Sequence, residues 1–236
     1  MKRSAFFSLL VILVLIPGTL YLGTQMTGRM YYLTSSLIII EVMLPFFFSF
    51  ENRRPQAREL VSIAVMCALA TAARVVVPIP SFKPMMAIIM MTGIAFGAEA
   101  GFMAGAITAF ASNFFFTQGP WTPWQMMGYG IGGFVAGLVF RKRKFASRQT
   151  WKTTIQYAVF AFLCTLCVVG PLLDSCTIFT TAPTITKKYV LAVLASGLPY
   201  NINHALASGV TMLLFSKPML EKLDRLKRKY GMMEAD

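Results

Sequence analysis

The run from Asn113 to Gly133, NFFFTQGPWTPWQMMGYGIGG, sets amides and indoles close together: Asn113, Gln118, Trp121, Trp124 and Gln125. Amides donate and accept hydrogen bonds, and indoles offer a flat apolar face with one N–H donor. Such a set suits binding rather than bond breaking. Similar groups recur in three other stretches. PIPSFKP, from Pro78 to Pro84, is bounded by prolines and holds Phe82 and Lys83. The stretch after Leu173, expected to be a loop, supplies Asp174, Ser175, Thr177 and Thr180. GLPYNINHA supplies Pro199, Tyr200, Asn201, Asn203 and His204. A ligand pocket lined by Phe82, Lys83, Asn113, Gln118, Trp121, Trp124, Gln125, Tyr200, Asn203 and His204 accounts for all of them. Plainer readings stay open: Trp121 and Trp124 as interfacial belt aromatics, and Asn203 and His204 as paired polar groups between helices. Convergence at one membrane face favours the pocket.

The elements that must position these residues follow from composition. The chain has 236 residues, is 56% hydrophobic and only 13% charged, and its mean hydropathy is +0.64. That lies outside the range of soluble domains and within the membrane class. In lipid every backbone polar group must be satisfied internally, so the apolar runs are expected to be helices and the fold all-α. Eight spans are predicted: Ala5 to Leu22, Tyr31 to Phe50, Leu60 to Val77, Met85 to Phe96, Phe102 to Phe116, Trp124 to Phe140, Thr153 to Leu173 and Tyr189 to Phe215. The fourth and fifth fall short of the roughly 20 residues a crossing requires. A tight turn at Glu99 is expected between them, with one long helix as the alternative. Pro199 predicts a break in the last span.

Most of the 22 Lys and Arg fall at alternate span ends, which puts both termini on the cytoplasmic side of a multi-pass cell-membrane protein. That pattern also accounts for the net charge of +13 without nucleic acid. Lys2 and Arg3 precede an apolar run that lacks a small-x-small cleavage site, which reads as an uncleaved first helix. Cys164 and Cys167 have CxxC spacing inside an apolar span without a second pair, so they read as packing residues. Neither they nor His204 predicts a metal. No phosphate loop, HExxH or GxSxG motif occurs, so no catalytic residue, enzyme activity or cofactor is expected.

The basic stretch ENRRPQARE divides two bulky helices, residues 1–55, from a glycine- and alanine-rich core, residues 56–216, and a basic tail follows at 217–236. The tail reads as a cytoplasmic helical extension or as a helix on the membrane surface. Glu41 stands in mid-span, where a carboxylate is expensive and by default marks function. Residues four apart form small faces at Ala64, Ala68 and Ala72, at Gly93, Gly97, Gly101 and Gly105, and at Gly128, Gly132 and Ala136. Such faces admit close helix packing. The glycines are expected to meet another helix of this chain, whereas an external helix is a serious alternative for the alanines.

From Arg58 to Phe140, an AxxxA helix, a proline-bounded loop, FGAEAGFMAGAITAFASN and then GPWTPWQMMGYGIGGFVAGLVFRK resembles the substrate-binding S components of energy-coupling factor (ECF) transporters. The resemblance covers about residues 56 to 216. It implies a six-helix core, here preceded by two extra helices, that holds a vitamin or similar micronutrient in an outward-facing pocket. It also implies docking, through Ala64, Ala68 and Ala72, on a membrane scaffold protein that carries two ATPases. The resemblance is greatest to cobalamin-type S components, with riboflavin, folate and a queuosine precursor as other ligands. Rival readings are a self-sufficient secondary transporter that uses Glu41 or Arg74 as a coupling charge, and a membrane enzyme with His204 as base.

Overall fold

In a computed structural model the chain is described for residues 10–15, 18–19, 31–52, 56–141, 150–181 and 184–232. Most of the expected first span, Ala5 to Leu22, the basic stretches around Arg53 and from Lys142 to Arg148, and the last four residues lie outside them. The described elements are all helical: α1 Tyr31–Asn52, α2 Ala57–Val76, α3 Met85–Phe96, α4 Ala98–Phe116, α5 Trp121–Val139, α6 Trp151–Thr181 and α7 Lys187–Tyr230. By length and apolarity α2 and α6 each suffice to cross a membrane, while α3 has only 12 residues. Large apolar side chains stand exposed on the outside, among them Phe114, Phe115, Val61 and Leu191. A water-soluble protein seldom leaves so much apolar surface open.

α3 is the central element. All twelve of its residues are buried, and a helix that is apolar all round belongs in an interior. It packs against α2, α4, α5 and α7. The chain turns between α3 and α4 at Gly97, not Glu99, because the turn needs φ 99°, a value glycine adopts without strain. Glu99 lies in the first turn of α4.

The glycine faces meet within the chain, as expected. An ideal Cβ on Gly93 would lie 2.1 Å from the Gly133 carbonyl oxygen, and one on Gly105 would lie 2.3 Å from that of Tyr129. Two glycine faces therefore lie on α5. Gly133 and Gly137 meet α3 and α4, while Gly128 and Gly132 face Leu173 and Val169 of α6. Close backbone approach of this kind is what holds helices together where burial from water supplies little.

Three expectations about helix ends are corrected. α6 does not stop at Leu173: it passes through a π-helical segment, Thr165–Val169, and runs on to Thr181, so Asp174, Ser175, Thr177 and Thr180 are helical. α7 does not break at Pro199, since proline removes only one N–H from the ladder and the other bonds carry the helix on. Nor does α7 end near Phe215. It continues through Pro218 to Tyr230, with Leu220, Leu223, Asp224 and Lys227 buried. Lys227 Nζ donates to the Ala95 carbonyl at the end of α3, where a cation is favoured by the helix dipole. The basic tail is thus folded onto the body.

α1 lies against α4 and α5 through Met43, Phe46 and Phe47, with the Phe46 and Phe102 rings stacked at 4.1 Å. Glu41 of this helix has a partner: Thr19 donates its hydroxyl to Oε1 at 2.5 Å, while Oε2 has none among the described residues.

Replacing Gly133 by alanine would put a methyl 2.2 Å from the Gly101 carbonyl oxygen. Overpacking of this order costs about 1–3 kcal/mol, so the thermal unfolding midpoint of the purified protein should fall. Gly209→Ala, whose nearest neighbours lie 3.4 Å away, should leave it nearly unchanged.

Candidate ligand-binding site

The C-terminal ends of α2 and α4, the N-terminal end of α5, the latter part of α6 and the first half of α7 surround a cavity of about 420 Å³. It is lined by Arg74, Ser81, Lys83, Met85, Asn113, Phe116, Trp121, Gln125, Tyr129, Leu173, Asp174, Tyr200, Asn201 and His204. Pockets for small organic molecules usually run from about 300 to 1,000 Å³. One wall is built around Arg74, which stands in the last turn of α2 and is only 9% exposed. Its guanidinium donates to Ser112 Oγ at 2.5 Å, Asn113 Oδ1 at 2.9 Å and Gln125 Oε1 at 3.3 Å. The rings of Phe116 and Tyr129 flank it at 5.2 and 5.7 Å. A group that stays charged must be hydrogen-bonded when buried, and the α4 and α5 amides meet that need.

Asn113 passes the network onward. Its Nδ2 donates to Thr122 Oγ1 at 3.0 Å, and the Thr122 hydroxyl donates to Gln118 Oε1 at 2.9 Å. Gln118 Nε2 in turn donates to the Phe110 carbonyl. This clasp holds the turn between α4 and α5, where Thr117 takes the unusual φ of 79°; such a conformation costs of order 1–3 kcal/mol and persists only where its surroundings impose it. Across the mouth, Lys83 Nζ donates to the Val77 carbonyl at 2.5 Å and so ties the two ends of the loop between α2 and α3.

The opposite wall comes from α6 and α7. Asn201 Nδ2 donates to Asp174 Oδ2 at 2.7 Å. His204, 9% exposed, stands edge-on to Tyr129 with ring centroids 6.0 Å apart, and its Nε2 has no hydrogen-bond partner among the described residues.

Of the ten residues expected from the sequence to line the pocket, Lys83, Asn113, Trp121, Gln125, Tyr200 and His204 do so. Phe82 lies outside the lining. Gln118 is exposed and belongs to the loop clasp. Trp124 is 2% exposed, points away, and donates Nε1 to Ser175 Oγ at 3.1 Å. Asn203 is exposed on the outer face of α7, because an unbroken helix turns Asn201 and His204, three apart, to the same side and Asn203 away from it. Arg74, Tyr129 and Asn201 are the main lining residues absent from that set of ten. An arginine inside an apolar span was the available signal for the first.

Ala64, Ala68 and Ala72 are exposed on α2 and form the floor of a second, apolar groove of about 660 Å³, walled by Phe50, Met103, Ile107 and Phe115. The four cysteines are free thiols, and among the described residues no cluster of His, Cys, Asp or Glu forms a metal site.

The described residues form a helical body with a polar cavity at one end and a small-residue groove on its flank. Residues 55–221 match the family model of the ECF-type riboflavin transporter, S component, and the chain belongs to that family. No curated protein and no solved structure matches it. The family is one of transporter S components, not of enzymes.

The buried indole of Trp124 predicts a structural role. Trp124→Ala should cost about 3–5 kcal/mol of stability, as a large aromatic deletion does. Trp124→Phe, which keeps an aromatic ring but loses the bond to Ser175 and part of the indole volume, should cost less than the alanine change; chemical or thermal unfolding in detergent distinguishes the two.

Proposed function

We propose that the protein binds riboflavin in the cavity between Arg74 and Asp174 and delivers it to an ATP-driven ECF module. The observation that carries this reading is the cavity itself, taken with the family match over residues 55–221. A volume of about 420 Å³ suits a three-ring flavin with a ribityl tail and is too small for a corrin ring with its nucleotide loop. Riboflavin is therefore favoured over cobalamin, the ligand to which the sequence resemblance pointed. Phe116, Trp121, Tyr129 and Tyr200 supply aromatic faces for a flat ring system, and the amides and Asp174 supply hydrogen bonds for its edges. Arg74 and Lys83 outnumber the one carboxylate, which argues against a cationic vitamin such as thiamine.

The cavity opens to the outer side, and both termini are cytoplasmic, since the basic residues Arg58, Arg141 and Lys227 lie at the other end of the helices. The groove floored by Ala64, Ala68 and Ala72 takes a helix of the scaffold protein, because small residues let two backbones approach closely. The chain supplies recognition, and its partner's ATPases supply the energy.

Riboflavin added to the purified protein without ATP should bind with one-to-one stoichiometry, read by quenching of flavin fluorescence. Trp121→Ala should weaken that binding about fivefold while unfolding stays unchanged, since Trp121 is 42% exposed and stacks worth roughly 1 kcal/mol are lost with it. Absence of flavin binding, with tight binding of another vitamin, would overturn the substrate.

Ala68→Leu should abolish co-purification with the scaffold and ATPases and leave vitamin binding intact. Retained assembly would remove the alanine groove from the interface.

A further inference from the structure

The two walls of the cavity differ in what they leave unused. On the Arg74 wall the polar groups are engaged with one another: the guanidinium holds Asn113 and Gln125, and Asn113 holds Thr122. On the other wall Asp174 accepts from Asn201 through Oδ2 only, and Oδ1 takes no hydrogen bond from the described residues. His204 lines the same wall, and its Nε2 has no hydrogen-bond partner among the described residues. A carboxyl oxygen of this kind can accept, so it suits an N–H or O–H of a ligand.

This wall is built to hold the carboxylate. A Cβ on Gly197 of α7 would lie 2.5 Å from both Asp174 oxygens, and a Cβ on Gly170 of α6 would lie 2.6 Å from the amide carbon of Asn201. Each helix lacks a side chain where the other places a polar group. Asp174 and Asn201 therefore meet across a close contact and fix each other's position. A carboxylate within an apolar helix is expensive and is retained for function.

We infer that Asp174, braced by Asn201, is the specificity-determining acceptor for a ring N–H of the ligand, which in a flavin is the imide N3–H. The inference rests on the flavin reading above. An imide presents its N–H between two carbonyls. The carboxylate takes the N–H, and the imidazole of His204, three residues beyond Asn201 on α7, supplies a donor to a carbonyl beside it. Ribityl hydroxyls both donate and accept, so they would not distinguish an aspartate from an asparagine at this position.

The test uses the full chain and two ligands, riboflavin and N3-methylriboflavin, titrated into the wild type and into Asp174→Asn. The wild type should bind the methylated ligand at least tenfold more weakly, a comparison that needs no variant to fold. Asp174→Asn should bind riboflavin about tenfold more weakly and show a much smaller penalty for the methyl group. An equal methyl penalty in both proteins, or none in the wild type, would overturn the role of Asp174 while leaving riboflavin as the ligand. Failure of the wild type to bind riboflavin at all would overturn the flavin reading and this inference with it.

Discussion

The guanidinium of Arg74 is buried in the fold, and the structure around it meets its donors with the neutral acceptors Ser112, Asn113 and Gln125. Ser112 and Asn113 must therefore come from the end of α4 and Gln125 from the start of α5, which fixes where the chain may turn between them. Thr117 adopts an uncommon backbone conformation in that turn, and the Gln118 and Thr122 clasp closes it. Phe116 and Tyr129 are drawn to the cation as well. One charge thus organises three helices and a loop into one wall of the cavity.

Below this polar end the packing is dry and close. Gly93, Gly101 and Gly105 meet the α5 backbone at separations that leave no room for a methyl, and α3 is enclosed on every side. The body is consequently stiff where it holds the cavity walls in register. α2 links this body to the flank: Arg74 near one end faces the cavity, while Ala64, Ala68 and Ala72 lie exposed on the same helix.

Helix positions were largely legible in the sequence, because apolar runs in a chain of this composition leave few alternatives to helices. The turn expected at Glu99 lies two residues earlier, at Gly97, because only glycine adopts its φ of 99° without strain. Prolines misled in the other direction. Pro199 and Pro218 both sit inside α7, and a continuous helix through Pro199 reverses the facing of Asn201 and Asn203. Trp121 and Trp124 are three apart at the start of α5 and share a side of that helix, so only the contact with α6, where Ser175 accepts from Trp124, decides which indole is enclosed. The lining residues found from sequence were those whose polarity was conspicuous in an apolar setting. Tyr129, hidden among glycines, carried no such mark.

The most direct test of the account is an experimental structure of the protein with riboflavin. Density for the ring system between the Arg74 wall and the pair of Asp174 and Asn201, with its imide edge on the carboxylate, is the predicted result. A flavin bound elsewhere, or a cavity that remains empty at saturating vitamin, would contradict it.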